Sequence, residues 1–142
     1  MPLNENPEKI FLYHYVEELI SSYGDYYNSN MKEEDYTIKE LSVLLRIRMD
    51  DVTTQHNLVN VFKVSGAYIA KVLRKFEDNG LILRKENPEN RRQKLVKLTD
   101  DGVKKTDKLL DTIENWESEV TSNITDEELK NLKKILFKIL WG

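Results

Sequence analysis

Residues 87–102 read NPENRRQKLVKLTDDG. A Pro-Glu-Asn turn is followed by two adjacent arginines, Arg91 and Arg92, and then by a short alternating run that ends in Leu-Thr. Together with LILRKE at residues 81–86, this reads as two antiparallel strands around an arginine-tipped turn, since alternation with period two is the mark of a half-buried strand. The chain is acidic overall, with a net charge of -3. Between Lys63 and Lys97, however, ten Lys/Arg face four Asp/Glu, a local balance of +6 against -9 in the remainder. One basic segment lies inside an acidic body, and that distribution, rather than the overall charge, is what a polyanion would feel.

Upstream of the hairpin, Ser65 is placed to cap a helix over GAYIAKVLRKFEDN. Ile69, Val72, Leu73 and Phe76 form its inner face, and Asn79-Gly80 its stop. Thr54 is placed to cap a shorter helix, QHNLVNVF. Before that, Thr37 and Glu40 form a capping box for a helix carrying Leu41, Leu44, Leu45 and Arg48, which MDD ends. Asn6-Pro7 reads as a cap and first-turn proline for the opening helix, with Ile10, Tyr13, Val16, Leu19/Ile20, Tyr23 and Tyr27 at helical spacing. Phe11 and Tyr15 fall off that stripe, so this helix is apolar on more than one side. Beyond the hairpin, Thr99 is placed to cap a helix with Val103, Leu110, Ile113, Trp116 and Val120 in a stripe. Thr125 and Glu128 box the last helix, with Leu129, Leu132, Leu136, Ile139 and Leu140. The order is helix, helix, short helix, helix, hairpin, helix, helix: a mostly α protein with a small β-hairpin wing, a winged helix-turn-helix.

Such a unit suits double-stranded DNA. A helix in the major groove presents short or flexible polar groups from its first turns. Ser65, Gly66, Ala67, Tyr68 and Lys71 fill that role here, and Lys71, Arg74 and Lys75 extend a basic outer face. Thr54 and Gln55, at the start of the preceding helix, join the same expected DNA-binding set. Arg91 or Arg92 at the wing tip would enter the adjacent minor groove, where negative potential is concentrated, with Lys94 and Arg84 on flanking phosphates.

Two stretches, TTQHNLVNVFKVSGAYIAKVLRKFEDNGLILR at residues 53–84 and the wing at 87–102, resemble the MarR-type transcriptional regulators. The family's wing is D-x-R followed by a strand ending in Leu-Thr, two residues and Gly; Arg92, Leu98, Thr99 and Gly102 fall on that pattern. The resemblance implies an obligate homodimer of intertwined terminal helices on a pseudo-palindromic operator. It divides a single domain, residues 1–142, into dimerisation helices at 1–35 and 100–142 around a DNA-binding unit at 36–99. It also implies an effector pocket between the two parts, where Tyr23 and Tyr27 are placed to meet a small phenolic ligand. This chain departs from the family in having Asn90 for the wing aspartate, Lys63 for a common turn glycine, and Tyr68 for a smaller residue.

Other functions are excluded or disfavoured. With no cysteine there is no thiol chemistry, and His14 and His56 stand too far apart to suggest a metal site. No P-loop, nucleotide-binding glycine motif, HExxH or Ser/His/Asp set is present, so neither an enzyme nor a cofactor is expected. There is no signal-peptide pattern and no apolar run of membrane-spanning length, so the expected location is the cytoplasm. The alternative from another class is a winged-helix docking module for proteins, which would have no need of basic residues gathered on one side.

Overall fold

The computed structural model describes residues 6–32 and 34–142. Residues 1–5, which open the first expected dimerisation segment, and Glu33 in the polar connector lie outside the described residues. The elements are α1 (Leu12–Asn30), α2 (Ile38–Asp50), β1 (Thr53–Thr54), α3 (Gln55–Phe62), α4 (Gly66–Asp78), β2 (Ile82–Glu86), β3 (Lys94–Leu98), α5 (Asp100–Val120) and α6 (Asp126–Trp141). This is the winged helix-turn-helix read from the sequence.

The helix starts follow from the caps. The Thr37/Glu40 and Thr125/Glu128 boxes form in both directions, and Thr54, Ser65 and Thr99 each accept a backbone N–H of the helix they begin. The helix α4 ends where Gly80 takes φ +74° and the Leu81 amide bonds back to the Phe76 carbonyl at 2.9 Å, the six-residue closure that satisfies the helix end. Asn6 and Pro7 behave differently from expectation. They begin a separate 3-10 turn, Pro7–Lys9, and α1 starts afresh at Leu12, with Phe11 giving no side-chain cap.

The strands form one antiparallel sheet in the order β1-β3-β2, with Ile82 opposite Leu98 and Glu86 opposite Lys94. The strand β1 was not expected. Two threonines are too short for any periodicity to reveal, and they pair with Val96 and Leu95 from the far edge of the hairpin.

The core gathers Leu41, Val43, Leu44 and Ile47 of α2, Leu58 of α3, Ile69, Val72, Leu73 and Phe76 of α4, and Ile82, Val96 and Leu98 of the sheet. The predicted inner face of α4 is thus buried in full. On α2, Val43 and Ile47 complete the face, while Arg48 turns out to α5, where its Nη1 donates to Thr106 Oγ1 (2.9 Å) and pairs with Asp107 (2.5 Å).

One expected stripe needs correction. On α5 the buried residues are Gly102, Thr106, Leu109 and Thr112, whereas Val103 and Val120 are exposed. The threonines enter the core because their hydroxyls bond back to carbonyls one turn earlier, Thr106 to Gly102 and Thr112 to Lys108, each at 3.0 Å. A reading by apolar residues alone misses them. The stripe of α6 forms, but none of its residues is buried. In α1 only Tyr27 is buried, and Leu12, Tyr13, Val16 and Ile20 lie open.

Candidate nucleic-acid interface

The turn between α3 and α4 decides how α4 is presented. Lys63 closes α3 in the left-handed region, at φ 52° and ψ 45°, which explains why a glycine is at home there. Ser65 then accepts the Tyr68 amide at 3.1 Å. Gln55, at the start of α3, donates its side-chain amide to the Gly66 carbonyl at 3.3 Å and ties the two helix starts together. With its inner face in the core, α4 shows Gly66, Ala67, Lys71 and Arg74 to solvent, and among the described residues neither Lys71 nor Arg74 has an ion-pair partner.

The wing tip is built from two successive Asn turns. Asn87 accepts the Glu89 amide at 3.0 Å and Asn90 accepts the Arg92 amide at 3.1 Å, while the Gln93 amide bonds the Asn90 carbonyl at 3.0 Å. Asn90 therefore fixes the backbone of the tip, and its neutral amide is sufficient for that. Arg92 is exposed and has no ion pair among the described residues. Arg91 is exposed too, 3.9 Å from Glu86.

Between the start of α3, the start of α4 and the wing lies a cleft of about 530 Å³, lined by Gln55, His56, Gly66, Arg84, Arg92, Gln93 and Lys94 among others. Arg84 reaches it from β2. Its Nε is enclosed without a hydrogen-bond partner among the described residues, and the Glu77 carboxylate is 3.7 Å away. The cleft is cationic, open, and edged by two helix N-termini whose first amides favour anions. It can hold a phosphate backbone.

Not all of the expected set gathers there. Gln55, Gly66, Arg92 and Lys94 line the cleft; Ser65, Ala67, Lys71 and Arg74 stand on the outward side of α4. Thr54 is occupied as a cap, accepting the Asn57 amide at 3.1 Å. Tyr68 is half-buried and leans toward α2, with the Lys39 ammonium 5.6 Å from its ring centre. Burial, and then the Glu40 charge, raise its phenol pKa against the opposing effect of Lys75. Lys75 turns back to Glu40, 3.2 Å away, and does not face the cleft. His56 and Gln93, outside the expected set, also line the cleft. Their only sequence signal is adjacency to Gln55 and to the arginine pair.

The two tyrosines of α1 also separate. Tyr27 is a core residue whose hydroxyl donates to the Tyr36 carbonyl, and burial together with Glu34, Tyr23 and Glu40 pushes its pKa up to about 12. Tyr23 packs edge-on against Trp116 with ring centres 5.3 Å apart. It lines an apolar hollow of about 360 Å³ with Leu19, Ile20, Ile38 and Ser42. Among the described residues no helix is long and apolar enough to cross a membrane, and no group of three or more His, Asp or Glu is placed to hold a metal.

Residues 36–94 match the model of the MarR family. The chain is 31% identical over 114 residues to the multiple antibiotic resistance protein MarR of Salmonella typhimurium, across 80% of this chain and 79% of that protein. It is 26% identical to the uncharacterized HTH-type transcriptional regulator YdgJ of Bacillus subtilis, of whose length the match spans 60%. Among solved structures, wild-type MarR from Escherichia coli superposes with a TM-score of 0.78 at 26% identity, covering 96% of this chain and 99% of that one. A mutant of the same protein complexed with operator DNA superposes at 0.75 and 25% identity, with the same coverage.

Proposed function

Because the chain belongs to the MarR family of transcriptional regulators, we propose that it is a homodimeric repressor that binds a pseudo-palindromic operator and occludes a promoter in the cytoplasm. The observation that carries this reading is the cationic cleft shared by the start of α4 and the wing, with Lys71 and Arg74 exposed on α4 and in no ion pair among the described residues. In this reading residues 36–99 form the DNA-binding unit. The outward face of α4 enters the major groove, Arg92 reaches the flanking minor groove, and Arg84, Lys94 and Arg91 hold phosphates. Phosphate contacts set affinity and register, and the helix face sets sequence preference.

The helices α1 and α6, with the outer side of α5, join two copies. What supports this is their bare apolar surface: Tyr13, Val16 and Ile20 on α1, and Ile135, Phe137, Leu140 and Trp141 on α6. A folded monomer in water rarely keeps so large a patch uncovered. A small phenolic effector fits the hollow beside Tyr23 and Trp116, between these helices and α2, where an aromatic guest would meet apolar walls and a few hydroxyls. The buried Tyr27 backs that region without lining it.

The test is a titration of the purified protein with DNA from upstream of its own gene, against random competitor of equal length, at two salt concentrations. Saturable binding that survives competitor and weakens steeply with salt is the expected result. Equal, weak binding to both DNAs would turn the search to other target sites and to protein partners for the same winged surface.

A further inference from the structure

Lys75 is one of the cations of α4, yet its ammonium is spent inside the protein. It lies 3.2 Å from Glu40 Oε2, donates to the Asp35 carbonyl at 3.1 Å, and stands 4.7 Å from the centre of the Tyr36 ring. Lys105 of α5 approaches the same ring at 5.0 Å and is anchored 2.7 Å from Glu34, whose side chain is only 4% exposed. The Tyr36 hydroxyl accepts from Asn79 Nδ2, just past the end of α4, at 2.5 Å, and its ring packs against Phe76 with centres 5.4 Å apart. Its carbonyl accepts from the Tyr27 hydroxyl of α1. A single buried residue of the α1–α2 connection therefore touches α1, α4 and α5. Cations are drawn to the ring face, and buried carboxylates hold those cations in place, so the joint has a defined geometry.

We infer that Tyr36 and Lys75 are positioning residues that set the angle of α4 against α1 and α5, and that Lys75 makes no phosphate contact. The inference rests on the reading of α4 as the DNA-recognition helix. Two recognition helices on one duplex must keep a fixed separation and tilt. A joint between each α4 and the helices that link the copies sets both. Loosening it spoils discrimination between sequences while the number of neutralised phosphates stays the same.

That separation is what the experiment reads. Lys94→Met, Lys75→Met and Lys75→Arg are titrated over a salt series on operator and on random DNA, with the active fraction fixed by stoichiometric titration. Lys94→Met, which removes a phosphate contact, is expected to lower the log-log salt slope by about one unit. Lys75→Met is expected to keep the wild-type slope while its operator-over-random preference falls by about tenfold. Lys75→Arg, which still reaches Glu40, is expected to restore that preference. A one-unit loss of slope in Lys75→Met, or an unchanged preference, overturns the inference. Amide exchange of the free protein supplies an arm independent of DNA. In Lys75→Met, amides 72–80 are expected to exchange faster while those of α5 keep their rates, and unchanged exchange at 72–80 overturns the joint. If the wild type shows no operator preference at all, the DNA-binding reading fails, and the exchange arm still decides whether the joint exists.

Discussion

Gly102 illustrates how one residue carries a motif. It lies in the first turn of α5, where an added Cβ would run into the backbone carbonyl of Leu81. The same corner is closed by Thr99, whose hydroxyl donates to the Gly80 carbonyl at 2.6 Å and accepts the Gly102 amide at 3.1 Å. The Leu-Thr-x-x-Gly pattern is thus a packing device that seats α5 on the end of β2. Gly102→Ala should cost about 1–3 kcal/mol in chemical denaturation, the usual range for forcing volume into a filled site.

Buried Tyr27 and partly buried Glu40 make stability depend on pH at the same scale. Burial, then Glu34, Tyr23 and Glu40, raise the Tyr27 phenol to about 12, so its contribution is complete below pH 10 and is lost as pH rises through about 12. For Glu40, burial pushes the carboxyl up, but the Thr37 amide and Lys75 outweigh it and leave it below 4.5. Its contribution is therefore complete above pH 4.5 and drains as pH falls below that. Denaturation midpoints followed against pH should show Tyr27→Phe flattening the alkaline limb and Glu40→Gln the acid limb.

Among the elements, what was legible in the sequence was whatever a single side chain settles locally. The boxes at Thr37 and Thr125, the caps at Ser65 and Thr99, and the Gly80 stop are all satisfied within a span of six residues. The strand β1 was not legible, because two threonines acquire strand geometry only from β3. The buried face of α5 was half hidden by Thr106 and Thr112, which are core residues only through their bonds to the helix backbone. Lys75 sits one helical turn from Lys71 and so shares its face, but a long aliphatic stem lets its ammonium swing back to Glu40. At the wing, the two Asn turns predict that Asn90→Ala speeds amide exchange at Arg92 and Gln93 with little change in melting temperature. Arg92→Ala should keep the fold and cost about 1–3 kcal/mol of operator binding, a loss read by fluorescence titration. Undiminished affinity would remove the wing from recognition.

At the scale of the molecule, most of the core and the cationic cleft belong to residues 36–99, with Tyr27, Met31 and Leu109 added from α1, its end and α5, while no residue of α6 is buried within its own chain. A helix bearing Phe137, Leu140 and Trp141 exposed is stabilised by packing against something, because isolated helices of this length are marginal in water. Sedimentation equilibrium should find two copies in the wild type and a monomeric or unfolded chain in Phe137→Glu. Pairing through these helices would give the protein two recognition helices related by a two-fold axis, and the DNA it prefers would then carry the same symmetry.

That requirement yields the most direct measurement, selection of bound sites from a random DNA pool by the wild-type protein at physiological salt. The prediction is an enriched inverted repeat whose half-sites are centred about one helical turn apart, roughly 34–36 Å along the duplex. A pool that stays random, or one that enriches a single unrepeated sequence, would contradict the account of a symmetric pair of winged helices reading an operator.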